Sequence, residues 1–349
     1  MINLPAIATR ANSSTRALAP DMHSMALLEP GGQLQWQEST TPQPQGREVL
    51  LQVEACAVCR TDLHVIDNEL PDICHPITPG HQVVGRVVSG GPEAAIATGT
   101  RVGAAWLGWT CQQCSYCESA QENLCDDARF NGYQINGGFA DHMIADSLYV
   151  FPLTETTSAV AIAPLLCGGL IGYRSLRMTG NAIKIGIYGF GSAAHLITQL
   201  AVHEGREVYA FTHPDDEMAA ALARECGACW TGSSTEPAPL QLDAAIIFAP
   251  AGELVPKALK DVRKGGSVVC GGIHMSDIPS FPYADLWGER RIVSVANMTR
   301  QDGKEFLELA SDAGVQAKTE TWPLRQANAA IAALRTGKVN GTAVLVPNQ

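Results

Sequence analysis

The rhythm of apolar and polar positions along the chain changes near residue 183. Between Ser24 and Tyr149 apolar residues come in short alternating runs broken by Gly and Pro: MALLEP, VLLQVEACAV, QVVGRVVSGG, TRVGAAW, FADHMIA and LYVFP. This spacing predicts a β-rich, partly Greek-key unit. From Ile183 the runs become continuous and alternate with helical patterns. IKIGIYGF, EVYAFT, DAAIIFAP, GSVVCGGI and RIVSVANM read as strands. SAAHLITQLAVHEG, PDDEMAAALARECG and a segment through Ala258 read as helices. Strands that are apolar on both faces and alternate with helices imply a doubly wound parallel sheet. After Gln301 the helix DGKEFLELASDAG leads back to alternating segments ending in GTAVLVP. The pattern thus predicts a β-rich domain interrupted by an α/β domain, with boundaries at 22–174, 175–300 and 301–349. No internal repeat or low-complexity tract is visible.

Composition narrows the class. A hydrophobic share of 46% against 17% charged residues describes an ordinary globular chain. The net charge of −11, without a basic cluster, argues against nucleic acid or an anionic membrane as a partner. No run approaches the roughly 18 apolar residues that a membrane span needs. Residues 1–21 carry two arginines, little acid and no period. They read as a disordered extension, with a weak organelle-targeting segment as the alternative. The eleven cysteines are clustered and no secretory signal precedes them, which favours metal over disulfides and a cytoplasmic location.

The chemistry begins with CQQCSYCESAQENLC, in which Cys111, Cys114, Cys117 and Cys125 crowd into a lobe at 108–126. Four adjacent thiolates satisfy tetrahedral Zn²⁺ and leave no open position, so the expected role is structural. An iron–sulfur cluster fits the longer last gap poorly. The second motif is GFGSAA, directly after a strand and opening a helix. Gly189 allows the turn and Gly191 a close approach of pyrophosphate, while Ser192 and Ala193 offer helix N-terminal N–H groups. Phe190, Ala249, Gly272 and Ile273 are assigned to the same dinucleotide site. A Gly-rich turn that binds nothing is the alternative. The next strand ends in Phe211, Thr212 and His213 rather than in an acid. A 2′-phosphate could therefore sit on Thr212 and His213, which favours NADP(H) over NAD(H), although Asp215 and Asp216 lie close by and read as the first turn of the next helix. Cys226 and Cys229 read as buried structural thiols.

Cys59-Arg60-Thr61-Asp62-Leu63-His64, Gly80-His81 and Cys167 in APLLCGGLIGYRSL, together with the cysteine lobe, the Gly189 turn and the domain order, resemble the zinc-dependent medium-chain alcohol dehydrogenases. The resemblance covers essentially Met22 to Pro347. It implies a GroES-like catalytic domain with an inserted Rossmann domain, two zinc ions per chain and a homodimer or homotetramer. Carried over, Cys59, His81 and Cys167 hold a catalytic zinc with an open position. Thr61 and His64 form a proton relay, Asp62 orients His81, and Arg60 meets the cofactor pyrophosphate. Leu70 and Trp106 fall where the family lines its substrate pocket, or are plain core side chains. The implied reaction is hydride transfer between a primary alcohol or aldehyde, with aromatic ones among the candidates, and NAD(P). A zinc-independent quinone or enone reductase of the same superfamily and a non-catalytic dinucleotide-binding redox sensor are the rivals.

Gln82 departs from the pattern, since the family usually follows the ligand His with Glu. The loss of a carboxylate is expected to leave the metal a stronger Lewis acid, lowering the pKa of bound alcohol while slowing ligand exchange.

Overall fold

The computed structural model describes residues 22–347; the expected N-terminal extension lies outside them. Two sheets organise the chain. The first is seven-stranded and runs Thr319–Pro323, Thr342–Val346, Glu48–Ala57, Val83–Gly90, Arg101–Ala104, Val150–Pro152, with His142–Asp146 added to the start of Glu48–Ala57. All its pairings are antiparallel except that of Thr319–Pro323 with Thr342–Val346. This last pairing brings the end of the described chain back onto the first domain's sheet. It explains why GTAVLVP carries an all-buried core, Thr342 to Leu345.

The second sheet is six-stranded and wholly parallel. Its order is Trp230–Ser233, Glu207–Thr212, Lys184–Tyr188, Leu242–Ile247, Val262–Cys270, Arg291–Ser294. The strand order reverses on either side of Lys184–Tyr188, which opens the crevice where a doubly wound sheet takes its ligand. Ile185, Ile187 and Tyr188 are fully or almost fully buried, as the continuous apolar run requires.

The helix Gly168–Met178 joins the two sheets. Leu170, Tyr173 and Leu176 recur at helical spacing and are each at most 2% exposed, so one face is committed to the core. They pack with Ala55, Val84 and Val344 of the first sheet and with Ile185, Ile187 and Val208 of the second. Burying each large side chain contributes about 1.5–3 kcal/mol. A Leu170→Ala change would cost about 2–5 kcal/mol and loosen the junction. Among the described residues no single helix is long and apolar enough to cross a membrane.

One sequence expectation needs correcting here. The helix after Thr212 starts at Glu217, and Asp216 caps it by accepting a hydrogen bond from the Ala219 N–H at 3.0 Å. Pro214 and Asp215 precede it, with Asp215 at φ +67. An aspartate cap outside the helix satisfies an end N–H that a first-turn placement would leave orphaned.

Candidate active site

The helix Arg60–Ile66 was not visible in the apolar pattern, because it is short and its start is fixed by polar capping. Cys59 is its N-cap, and Asp62, at the third helical position, accepts a hydrogen bond from the Cys59 N–H at 2.8 Å. The same carboxylate, 1% exposed, accepts from the Gly80 N–H and from Nδ1 of His81, both at 3.2 Å. One buried acid thus closes the helix, anchors the loop that carries His81 and fixes the ring. With Nδ1–H donated to Asp62, Nε2 of His81 is the nitrogen that becomes a lone-pair donor once it gives up its proton.

Nε2 lies 3.3 Å from Cys59 Sγ, and Cys167 Sγ lies 4.0 Å from Cys59 Sγ. Tetrahedral bonds of about 2.3 Å to sulfur and about 2.0 Å to nitrogen put such pairs about 3.5 and about 3.8 Å apart. The three donors therefore fit a single zinc ion. The Cys167 hydrogen bond, together with the charge on His81, holds the Cys59 thiol well below its ordinary value despite burial. The Cys167 thiol is pushed well above it, first by that same bond to Cys59. Burial alone would lower His81, but Asp62 and Cys59 raise it to about 10. Loading a metal must therefore displace protons from Cys167 and His81.

Cys167 caps the helix Gly168–Met178, and the next residue brings this cluster to the crevice. A Cβ on Gly168 would lie 2.9 Å from Ser192 Oγ and 3.4 Å from the Ala193 nitrogen. Gly168 thus brings the third donor against the first turn of the helix Ser192–His203. That turn is the one expected to bind dinucleotide. Gly189 has φ +88, and a Cβ there would strike the Ala249 nitrogen at 2.7 Å. Gly191, the N-cap, has nothing within 4 Å of its own missing Cβ, leaving room for a phosphate beside the helix N-terminus. Phe190 is buried, Gly272 is half-buried, and Ile273 is exposed beyond the strand Val262–Cys270. Arg60 is exposed at the start of its helix.

Thr61 is 8% exposed, three residues before His64 on the same short helix. His64 is part-exposed, and its Nδ1 pairs with the Glu69 carboxylate, a partner that sequence reasoning missed. Trp106 meets the His81 ring edge-on, with centroids 5.0 Å apart, and stacks with Phe130 at 5.2 Å and with Tyr133 at 5.6 Å, those two rings lying 6.3 Å from each other. Leu70 is half-buried against the first domain's core. Gln82 is 2% exposed and its amide donates to the Ala57 carbonyl at 3.3 Å, a bond that an ionised Glu could not make.

The second cluster is local. Cys111 Sγ lies 4.0 Å from Cys117 Sγ and 3.6 Å from Cys125 Sγ, and the four donor atoms, including that of Cys114, all fall within 4.8 Å of one another. This set also fits tetrahedral zinc. Its loop is tied to the junction of the two sheets. Glu122 accepts from the Arg300 N–H at 2.8 Å and from its Nε at 3.1 Å, and Asn123 donates to the Ala296 carbonyl at 2.7 Å.

Thr212 and His213 border a cavity of about 230 Å³ that also includes Arg224 and Ser233. Arg224 lay outside the sequence reading because only the packing of its helix on the next strand brings it to this side. Cys229 corrects another expectation: it is exposed, whereas Cys226 is half-buried. It precedes the edge strand Trp230–Ser233, which among the described residues no neighbouring strand covers on its outer side.

A GroES-like sheet and a doubly wound sheet that meet at a part-buried Cys-His-Cys cluster define a medium-chain dehydrogenase fold. Residues 45–155 match the alcohol dehydrogenase GroES-like domain. The probable alcohol dehydrogenase AdhA of Mycobacterium tuberculosis is 38% identical over 343 residues, covering 95% of this chain and 99% of the relative. An alcohol dehydrogenase of Moraxella sp. is 32% identical over 336 residues, covering 93% and 99%. A cinnamyl alcohol dehydrogenase structure from Sorghum bicolor superposes with a TM-score of 0.83 at 26% identity, covering 93% of this chain and 97% of that one. The chain belongs to the zinc-dependent medium-chain alcohol dehydrogenases and is an NAD(P)-dependent enzyme of small-molecule alcohols and aldehydes.

Proposed function

We propose that Cys59, His81 and Cys167 hold the catalytic zinc, that Cys111, Cys114, Cys117 and Cys125 hold a second, structural one, and that the enzyme prefers NADP(H). The observation that carries this reading is the contact of Gly168 with Ser192 and Ala193, which sets the three-donor cluster against the dinucleotide turn. Bound there, zinc supplies Lewis acidity to a substrate oxygen, and the nicotinamide supplies the hydride acceptor or donor. Asp62 keeps Nε2 of His81 free to ligate. Thr61 takes the hydrogen bond of the substrate hydroxyl, and His64 receives the proton and passes it outward. Arg60 and the first turn after Gly191 meet the pyrophosphate, with Phe190, Ala249, Gly272 and Ile273 around the remainder of the cofactor. Leu70 and the Trp106–Phe130–Tyr133 stack form a flat apolar wall suited to primary aromatic alcohols, the kind of substrate named for the Sorghum neighbour. Gln82 removes a negative charge from beside the metal.

For the 2′-phosphate, Thr212, His213, Ser233 and Arg224 supply donors in one cavity. Three acids line the same cavity: Asp216 is engaged at its helix end, Glu217 faces Arg224 at 4.0 Å, and Asp215 is exposed at its mouth. The unpaired side of the edge strand Arg291–Ser294 follows a segment with exposed Tyr283 and Trp287, and these features support pairing of two chains along that edge. Eleven free cysteines suit a reducing, cytoplasmic location.

Oxidation of NADPH and NADH, measured in parallel over a panel of aliphatic and aromatic aldehydes, tests the reading. The expected result is faster turnover with NADPH and the highest kcat/KM on aromatic aldehydes, with Arg224→Ala raising KM for NADPH about tenfold. A large NADH preference would sink the assignment of Thr212, His213 and Arg224.

A further inference from the structure

The helix that carries Thr61 and His64 ends at Asp67. The next residue, Asn68, takes the left-handed region at φ +58. Its N–H donates to the Val65 carbonyl at 3.2 Å, and the Glu69 N–H donates to the His64 carbonyl at 2.9 Å. A left-handed residue with these two nested bonds is a Schellman ending, which commonly sets an apolar residue after the turn against an apolar one in the last helical turn. Here the two positions hold Glu69 and His64, and the contact is a hydrogen bond between the carboxylate and Nδ1. The turn is braced from another element. Arg335, the last residue of the helix Ala327–Arg335, forks onto both carboxylate oxygens of Asp67, one of them at 2.6 Å.

We propose that Glu69 is a positioning residue of the proton relay, holding the His64 proton on Nδ1 so that Nε2 remains the acceptor on the Thr61 side. The inference rests on the reading of His64 as the outer relay group. During oxidation the electron pair leaves the carbinol carbon as hydride to the nicotinamide, so the relay carries only the hydroxyl proton. That proton forms the Nε2–H bond of His64, and the resulting imidazolium releases a proton to water. A carboxylate that accepts from Nδ1 fixes the tautomer in which Nε2 carries the lone pair. The charged groups packed around this turn are Glu69 and Asp67 at its end, Arg335 from the Ala327–Arg335 helix, and Arg60 and Asp62 on the relay helix. Arg335 is occupied by Asp67, and Asp62 by the Cys59 N–H, the Gly80 N–H and His81. Glu69 is therefore the carboxylate in contact with the ring.

The test is alcohol oxidation by the zinc-loaded enzyme across pH, comparing wild type, Glu69→Ala, Glu69→Gln, His64→Gln and the double variant His64→Gln with Glu69→Ala. Glu69→Ala is expected to lower the plateau kcat about fivefold. Glu69→Gln, which keeps an acceptor for the Nδ1 proton, should recover most of the plateau. KM for cofactor and the unfolding midpoint should not change, since Glu69 is 57% exposed. In the His64→Gln background Glu69→Ala should have no further effect. The proposal is overturned if His64→Gln slows turnover while Glu69→Ala leaves the plateau in place, if Glu69→Gln falls as far as Glu69→Ala, or if Glu69→Ala acts equally in both backgrounds. If His64→Gln itself leaves turnover unchanged, the relay reading fails first and Glu69 loses its role with it.

Discussion

The cluster of Cys59, His81 and Cys167 and the lobe from Cys111 to Cys125 offer similar donor atoms but collect them over different lengths of chain. Cys59 and Cys167 are 108 residues apart and Cys59 and His81 are 22 apart, whereas Cys111 and Cys125 are 14 apart. The distant donors are held by structure: two helix N-caps and a loop, locked by the buried carboxylate of Asp62. The local donors need little more than their own loop, and it is the loop that then holds something else, through Glu122 and Asn123 on the Ala296–Arg300 segment. The first cluster has three donors beside a ligand crevice and the second four with no position left open. A fold that brings together distant groups can leave a coordination site vacant for substrate, while a local chelate that satisfies its own metal is suited to support.

Breaking each cluster in turn should separate these roles. The largest effect is expected at His81. His81→Ala should reduce kcat about 10³-fold or more, since a Lewis acid supplies several kcal/mol and each 1.36 kcal/mol is tenfold. The fold should survive, as near-unchanged circular dichroism would show. A loss below tenfold would detach this cluster from the chemistry. Cys117→Ser should do the reverse. A structural zinc contributes folding energy directly, so the unfolding midpoint should fall by on the order of 10 °C, while kcat per folded molecule stays within about threefold; calorimetry and active-site titration would check the pair.

The smallest expected effect sharpens the comparison at the lobe's anchor. Burial pushes the Glu122 carboxyl up, but the Arg300 N–H and guanidinium outweigh it and hold the group below the usual carboxylate value. A lowered folded value means stability that is present above the unfolded value and lost as pH falls through the folded one. Glu122→Gln should therefore destabilise by about 1–2 kcal/mol at pH 7. The gap to wild type should close as pH falls below about 4. A gap that persists at pH 3 would show that packing, not charge, anchors the lobe.

These differences also decide what could be read from the residues alone. The four cysteines, the Gly189 turn and the alternation of strands and helices are local patterns with local causes, and they were legible. Cys167 carries no local sign of its role and was placed only by the resemblance to a family. The partnership of His64 with Glu69 depends on the backbone angle of Asn68, which no periodicity records. Arg224 reaches the cavity beside Thr212 through tertiary packing of its helix. Cys229 was misjudged for the converse reason, since an edge strand leaves exposed a thiol that an interior strand would bury.

The division of labour between the two clusters is tested most directly by counting zinc per chain, by elemental analysis of purified protein, in wild type, His81→Ala and Cys117→Ser, alongside turnover. The two donor groups predict two zinc ions in wild type and one in each variant, with turnover collapsing only when the His81 cluster is broken. Two zinc ions retained in His81→Ala, or an equal collapse of turnover per folded molecule in Cys117→Ser, would contradict it.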